Sequence, residues 1–408
     1  MTRQVRMIAP GTEVAVAFAM FVTAVCQVAC PADASAQVTR DSAGIRIVEN
    51  ARPAHDSRLP WRIDPEPAAS IGDVFGAEAY LLHQADDATV LPDGRIVIAN
   101  AGTNELRVFD SAGVHLGTWG GDGEGPGEFT SLWGVEPWPG DSVVAWNRWT
   151  WAIWVFDAEG AVGRSYALDS QPRALEPRVV LKDGSILGRT WAVAGDECRR
   201  SRETYELRRG EGGSPVEFGT HPGQEFHMGL GGGMALRGSL PFGRAFWEVQ
   251  WGERVILTTD DNYEIRAYDP STGALARIVR REHENRAPTR EDIDEAMEDA
   301  LQRTGLIDRR RLELALRDCG SIPVLEQFPA FSQLLTDPLD HLWVREATFP
   351  GKDRPAPLWT VFDPEGRVLG FIETPEGLTV FEIGADYLLG HATDELGVES
   401  VQVWGLER

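Results

Sequence analysis

The sequence predicts an all-β protein, a six-bladed β-propeller with four-stranded blades. Three observations carry this expectation. A pattern recurs along the 408 residues: a small polar turn, a short apolar strand, a polar loop and a second strand that often ends in an aromatic residue and Asp. Its six copies begin near residues 93, 140, 183, 252, 339 and 385. The shorter steps between starts, 47, 43 and 46 residues, suit a four-stranded unit, and the longer ones, 69 and 87, must hold insertions. Such a unit cannot bury both of its faces alone, and radial stacking around an axis solves that problem.

The clearest copies are DGRIVIANAGTNELRVFD at 93–110, GDSVVAWNRWTWAIWVFD at 140–157 and GERVILTTDDNYEIRAYD at 252–269. The third is split into DGSILGRT at 183–190 and YELRR at 205–209. The fifth pairs LDHLWVRE at 339–346 with WTVFD at 359–363, and the sixth pairs ADYLLGHA at 385–392 with VQVWGL at 401–406. Their strands are short, rich in Val, Ile, Trp and Tyr, and bounded by Gly, Asp or Pro. The sixth copy has candidate strands at 377–383, 386–391 and 400–406 and then stops, one strand short. Residues 67–72 contain AASIG and run into DVFGAE, matching the fourth strand and exit loop of copy one, HLGTWGGDGEGPGEF. The N-terminal strand is therefore expected to complete the last blade, which removes two exposed sheet edges.

Two segments break the repeat. Residues 210–242 are glycine-rich and read as a loop holding His221 and His227. Residues 289–318 read as a helical insertion between blades four and five, a cap or lid on one rim. Thr289 with Asp292 opens it with a capping-box-like turn, and Ile293, Ala296, Met297 and Leu301 share one helical face.

The ends and the composition narrow the class. Residues 1–36 read as an export signal: Arg3 and Arg6, an apolar run from Val14 to Val28, then Ala34-Ser35-Ala36 as a cleavage site. Residues 37–66 form a lead-in and 67–408 the propeller. The expected location is periplasmic or extracellular; Cys26 and Cys30 lack the usual leucine three places before them, which argues against a lipid anchor. The mature chain holds no candidate membrane span and is read as a monomer. Its net charge of −24 argues against nucleic acid and anionic membrane as partners. Cys198 and Cys319 remain after cleavage, and an even pair in an oxidising compartment suggests one disulfide.

GGDGEGPGEF at 120–129 resembles a binding loop when taken alone. It lacks the lysine and following helix of a phosphate loop. Asp122, Glu124 and Glu128 are hard oxygen ligands for calcium, but the DxDxDG spacing is absent. As a link from one blade to the next its glycines ease the crossing, Pro126 stiffens it, and Phe129 is placed to plug the core between blades.

IANAGTNELRVFD resembles the core of an NHL-type repeat, and GEGPGEF resembles the glycine-rich link that precedes one. DSAGIRIVEN and FPAFSQLLTDPLDHLWV resemble the secreted bacterial six-bladed β-propellers. The resemblance covers nearly all of the mature chain; it implies architecture and no particular chemistry.

No GxSxG elbow or HExxH motif appears, and His221 and His227 have no recognised metal spacing. Sites in such a fold favour the central channel and rims, where several blades converge. Aligning the copies places Asn100, Asn147, Thr190, Thr259 and Glu346 at one point, the end of the second strand, with Arg189, Arg345, His391 and Asp260 beside it. Turn capping competes with ligand binding as the reason for these side chains. On the innermost strands Glu136 and Glu248 fall at one level, with Arg178 adjacent. Lactonase-type six-bladed propellers hold a divalent metal with Glu, Asn and Asp, and that resemblance maps onto Glu136, Asn147 and Asp260. Blade two is rich in tryptophan (133, 138, 146, 149, 151 and 154), with 149 and 151 read on one strand face, as core or as a stacking platform. The expected function is an exported module binding a small ligand or a protein at the channel or rim. The alternative is a metal-dependent hydrolase or lyase, with calcium as the candidate cofactor.

Overall fold

The computed structural model describes residues 37–150, 152–168, 175–192, 202–209, 213–231, 234–239, 242–295, 298, 327–348 and 356–408. The signal, the Cys198–Cys319 bridge, Trp151 and most of the helical insertion lie outside them. Six antiparallel sheets form the ring. Their innermost strands are Ala85–Val90, Leu132–Trp138, Glu176–Val180, Phe246–Trp251, Phe331–Thr336 and Thr379–Ile383. Each lies against its neighbours around the ring and starts at the same rim. No helix among the described residues is long and apolar enough to cross a membrane.

The recurring aromatic-Asp has a local cause. Asp110 accepts hydrogen bonds from the backbone N–H of Ala112 and Val114 at 2.9 and 2.8 Å. Asp157 does the same with Glu159 and Ala161, and Asp363 with Glu365 and Arg367. A short side-chain acceptor closes the turn into the fourth strand, while the aromatic before it faces the core. Phe109, Phe156 and Phe362 are all fully buried.

Six hydrophobic clusters, one between each pair of neighbouring blades, hold the described ring together. Phe129 lies in the cluster between blades one and two, as the link GGDGEGPGEF was expected to place it. Gly127 in that link has φ +80°, and a Cβ there would sit 2.4 Å from Val162. Glu128 of the same link accepts from the Gly125 N–H at 2.8 Å, and Asp122 from the Asn104 amide at 2.7 Å.

Closure goes further than one strand. Ala69–Ile71 pairs with Glu399–Glu407 to complete blade six, as expected. The lead-in before it is also structured. Ile45–Asn50 adds in parallel to Leu275–Arg281 at the outside of blade four, and Val38–Ser42 adds beyond it, giving that blade six strands. The chain then bonds the outer strand of blade five through Ser57 and Leu59 with Phe371, and pairs Arg62–Ile63 with blade six. The Asn50 side chain bonds the carbonyls of Arg280 and Gly366 and the N–H of Val368, tying blade four to blade five. The N-terminal segment is thus a belt across the outer edges of three consecutive blades.

Two expectations are corrected. His221 lies in a strand, Val216–Pro222, the fourth of blade three, and residues Phe226–Gly231 and Met234–Ser239 form a separate hairpin. Glycine content masked the alternation of Val216 and Phe218. Trp149 lies in a turn and is 72% exposed, so it shares no strand face with residue 151. The inserted helix begins where the capping residues placed it: the Asp292 N–H donates to Thr289 Oγ1 at 3.2 Å and the Thr289 N–H to Asp292 Oδ2 at 2.7 Å.

Candidate functional site

The six innermost strands enclose a cavity of about 410 Å³. Its wall is formed by the later residues of each strand and by the turn residues 181–182 and 337–338. It therefore lies toward the rim of tight turns, away from the rim that carries the hairpin and the helix start.

Three carboxyl groups from consecutive blades enter this cavity: Glu382 from blade six, Asp87 from blade one and Glu136 from blade two. Asp87 accepts from the Val135 and Ala88 N–H groups at 3.1 and 2.9 Å. Glu382 accepts from Thr89 Oγ1 at 2.5 Å, from the Val90 N–H and from the Tyr387 hydroxyl. Burial pushes the Asp87 carboxyl up to about 7, assisted by the charges of Glu382 and Asp86 and opposed by those two N–H groups. Burial likewise pushes Glu136 up to about 8, and Asp87 and Glu382 add to the shift. Burial raises Glu382 as well.

Across the cavity the charges are compensated. Arg178 grips Glu248 at 3.2 Å and Glu176 at 3.3 Å. Behind them Arg189 bonds Glu176 and Glu203 at 2.9 and 3.0 Å, and the Tyr205 hydroxyl donates to Glu203 and Glu248 at 2.8 and 2.6 Å. Blade five contributes Leu334, Leu335 and Thr336 to the wall. The channel is thus acidic on one side, ion-paired on the second and apolar on the third.

The structure separates the other sequence candidates from this cavity. Asn147 caps its own blade: its Oδ1 accepts from the Thr130 and Ser131 N–H groups at 3.1 and 3.0 Å. Asn100 does the same for His83, and Asp260 for Ala245 at 3.0 Å. Burial pushes Asp260 up to about 7, opposed by the Ala245 N–H and by Arg244. Glu346 is held by Arg281 at 2.7 Å and by Tyr263 and Thr360, a buried pair joining blades four and five. Burial acts to raise Glu346, but those partners keep it below the ordinary carboxylate value. His391 stacks on Phe381, with its Nε2 3.6 Å from Glu399. Burial holds Arg345 below the ordinary guanidinium value.

The strand register also corrects the alignment. Arg189, not Thr190, pairs with the first residue of its inner strand and so matches Asn100 and Asn147. Glu136 sits opposite Val144, three residues before Asn147, whereas Glu248 sits opposite Leu257, two before Thr259. The two are one step apart because the hairpin turn after Glu136 holds residues 139–141, one more than the turn at 252–253 after Glu248. Glu136, Asn147 and Asp260 therefore do not share one place. Among the described residues, no three His, Cys, Asp or Glu side chains are grouped to hold a metal ion.

Asp87, Glu382, Glu203 and Tyr205 were not singled out from the sequence. The available signal was acid within otherwise apolar inner strands, ADDATV and TVFEI.

No protein-family model matches the chain, and no curated protein matches it. Solved structures do. A Bacteroides fragilis protein thought to be exported aligns with TM-score 0.49 and 11% identity, over 88% of this chain and 99% of that one. A virginiamycin B lyase from Staphylococcus aureus aligns with TM-score 0.40 and 10% identity, over 85% and 99%. A gluconolactonase from Xanthomonas campestris aligns with TM-score 0.38 and 14% identity, over 86% and 99%. Identities this low carry no chemistry across.

Proposed function

We propose that this protein is an exported binding module that takes a small, cation-bearing polar ligand into its central channel. The observation that carries this reading is the arc of Asp87, Glu136 and Glu382 on one wall of a cavity of about 410 Å³. The volume falls within the range of small-molecule sites, roughly 300–1,000 Å³. Arg178, already paired with Glu248 and Glu176, attracts Glu136 across the cavity, yet burial and mutual repulsion still leave Asp87 and Glu136 holding protons to unusually high pH. An amine entering the arc supplies the missing positive charge and favours the ionised form. The export part rests on residues 1–36 of the sequence.

The test is calorimetry with putrescine and spermidine on purified protein. Binding is expected, tightening between pH 6 and 8.5 as the carboxyls ionise, and lost in Glu136→Gln and Asp87→Asn. Stabilisation by citrate in place of the amines would overturn the reading. A hydrolase or lyase is the second reading, favoured by two carboxyls that titrate near neutrality and so suit general acid–base work. Stoichiometric divalent metal in the purified protein, lost in Glu136→Gln, would favour it over the first.

A further inference from the structure

A second cavity, of about 450 Å³, lies between blades two and three on the rim of tight turns. It continues from the channel mouth. Pro137, Leu181 and Lys182 border the channel, and the next residues on the same two segments, Trp138, Asp183 and Gly184, border this groove.

Its chemistry differs from that of the channel. Trp138 forms one wall and packs at its back against the core between the two blades. Asp157 and Asp183 each spend one oxygen on a turn: Oδ1 of Asp157 bonds the Glu159 and Ala161 N–H groups, and Oδ1 of Asp183 bonds the Ser185 N–H at 2.8 Å. Among the described residues, nothing bonds the second oxygen of either. Arg164, exposed on the fourth strand of blade two, also lines the groove and has no partner among them. An indole held from behind is thus flanked by two acceptors fixed by their turns and one five-donor guanidinium.

We propose that this groove is a saccharide-binding subsite for a neutral sugar ring. The apolar C–H face of a pyranose packs on the indole, an aromatic with a large apolar surface. Its hydroxyls then donate to Asp157 and Asp183 and accept from Arg164. Two acids and one arginine leave no large net field, which suits a neutral polyol better than an ion. This inference uses none of the channel carboxyls and stands or falls apart from the amine reading.

Saturation-transfer NMR with maltotriose, cellotriose and chitotriose tests it on the whole protein. At least one trisaccharide is expected to bind with a dissociation constant below about 1 mM. Trp138→Ala and Arg164→Ala should each weaken it by about tenfold. Arg164 is exposed, so that variant keeps the parent melting temperature and separates lost contact from lost fold. Trp149→Ala, on the opposite rim, should leave binding unchanged. Absence of binding by all three sugars, or binding that survives both groove variants, overturns the proposal.

Discussion

Glu248 and Glu136 project from innermost strands into one cavity, in opposite surroundings. Glu248 is gripped by Arg178 and receives the Tyr205 hydroxyl. Glu136 faces Asp87 and Glu382, and burial drives it toward the protonated form. The difference separates two uses of a buried acid. A carboxylate surrounded by donors belongs to the scaffold, and its partners account for it. A carboxyl crowded by other carboxyls costs the fold stability whenever it ionises, so its presence points to something outside the chain.

The largest effect should come from breaking the compensated side. Arg189→Ala removes from Glu176 and Glu203 a guanidinium they share in a buried place, leaving Arg178 on Glu176. A loss of about 3–5 kcal/mol is expected from urea unfolding; a loss within error would mean that the cluster is no more than surface pairing. Next comes a member of the strand-end ring. Asn147→Ala orphans the Thr130 and Ser131 N–H groups and should cost about 1–3 kcal/mol. Amine binding in the channel should be untouched, and a parallel loss of affinity would return Asn147 to the site.

The effect of the acid arc has the opposite sign. Asp87 and Glu136 are raised in the folded state to about 7 and 8. The unfolded chain releases those protons near pH 4, so the folded chain holds more of them between about pH 4 and 8. Their contribution to stability is greatest at low pH and is lost as pH rises through 7 and 8. Melting temperature should therefore fall from pH 5.5 to 8.5, and Glu136→Gln should flatten the fall. A parent that grows more stable over that range would show the arc to be ionised and compensated.

The repeat was legible because each blade repeats the same local solution, an Asp that closes a turn beside an aromatic that enters the core. The ring was legible too, since the sixth copy lacks a strand and residues 67–72 offer one. The channel wall was only partly legible. Glu136, Glu248 and Arg178 line it, but Asp87 and Glu382 follow bulges at Asp86 and Phe381. An added residue flips the alternation of every side chain after it, and no residue type announces the flip. The strand-end ring was visible as a pattern, yet its meaning depended on which N–H each side chain could reach. The inter-blade groove was less visible still, because its walls come from two blades whose sequences are read separately.

The belt has a consequence in time. Residues 45–71 emerge early during synthesis; their partners follow much later, 275–281 only after four blades and 368–373 and 399–407 near the end. Ile45–Asn50 must wait unpaired until blade four is made and residues 57–71 until blades five and six are made, and blade six cannot assemble until residues 399–407 are out. Pairings of such long separation are slow and leave edges open meanwhile. The early belt is therefore among the last parts to fold, and a chain truncated anywhere before residue 399 is left with an unsealed ring.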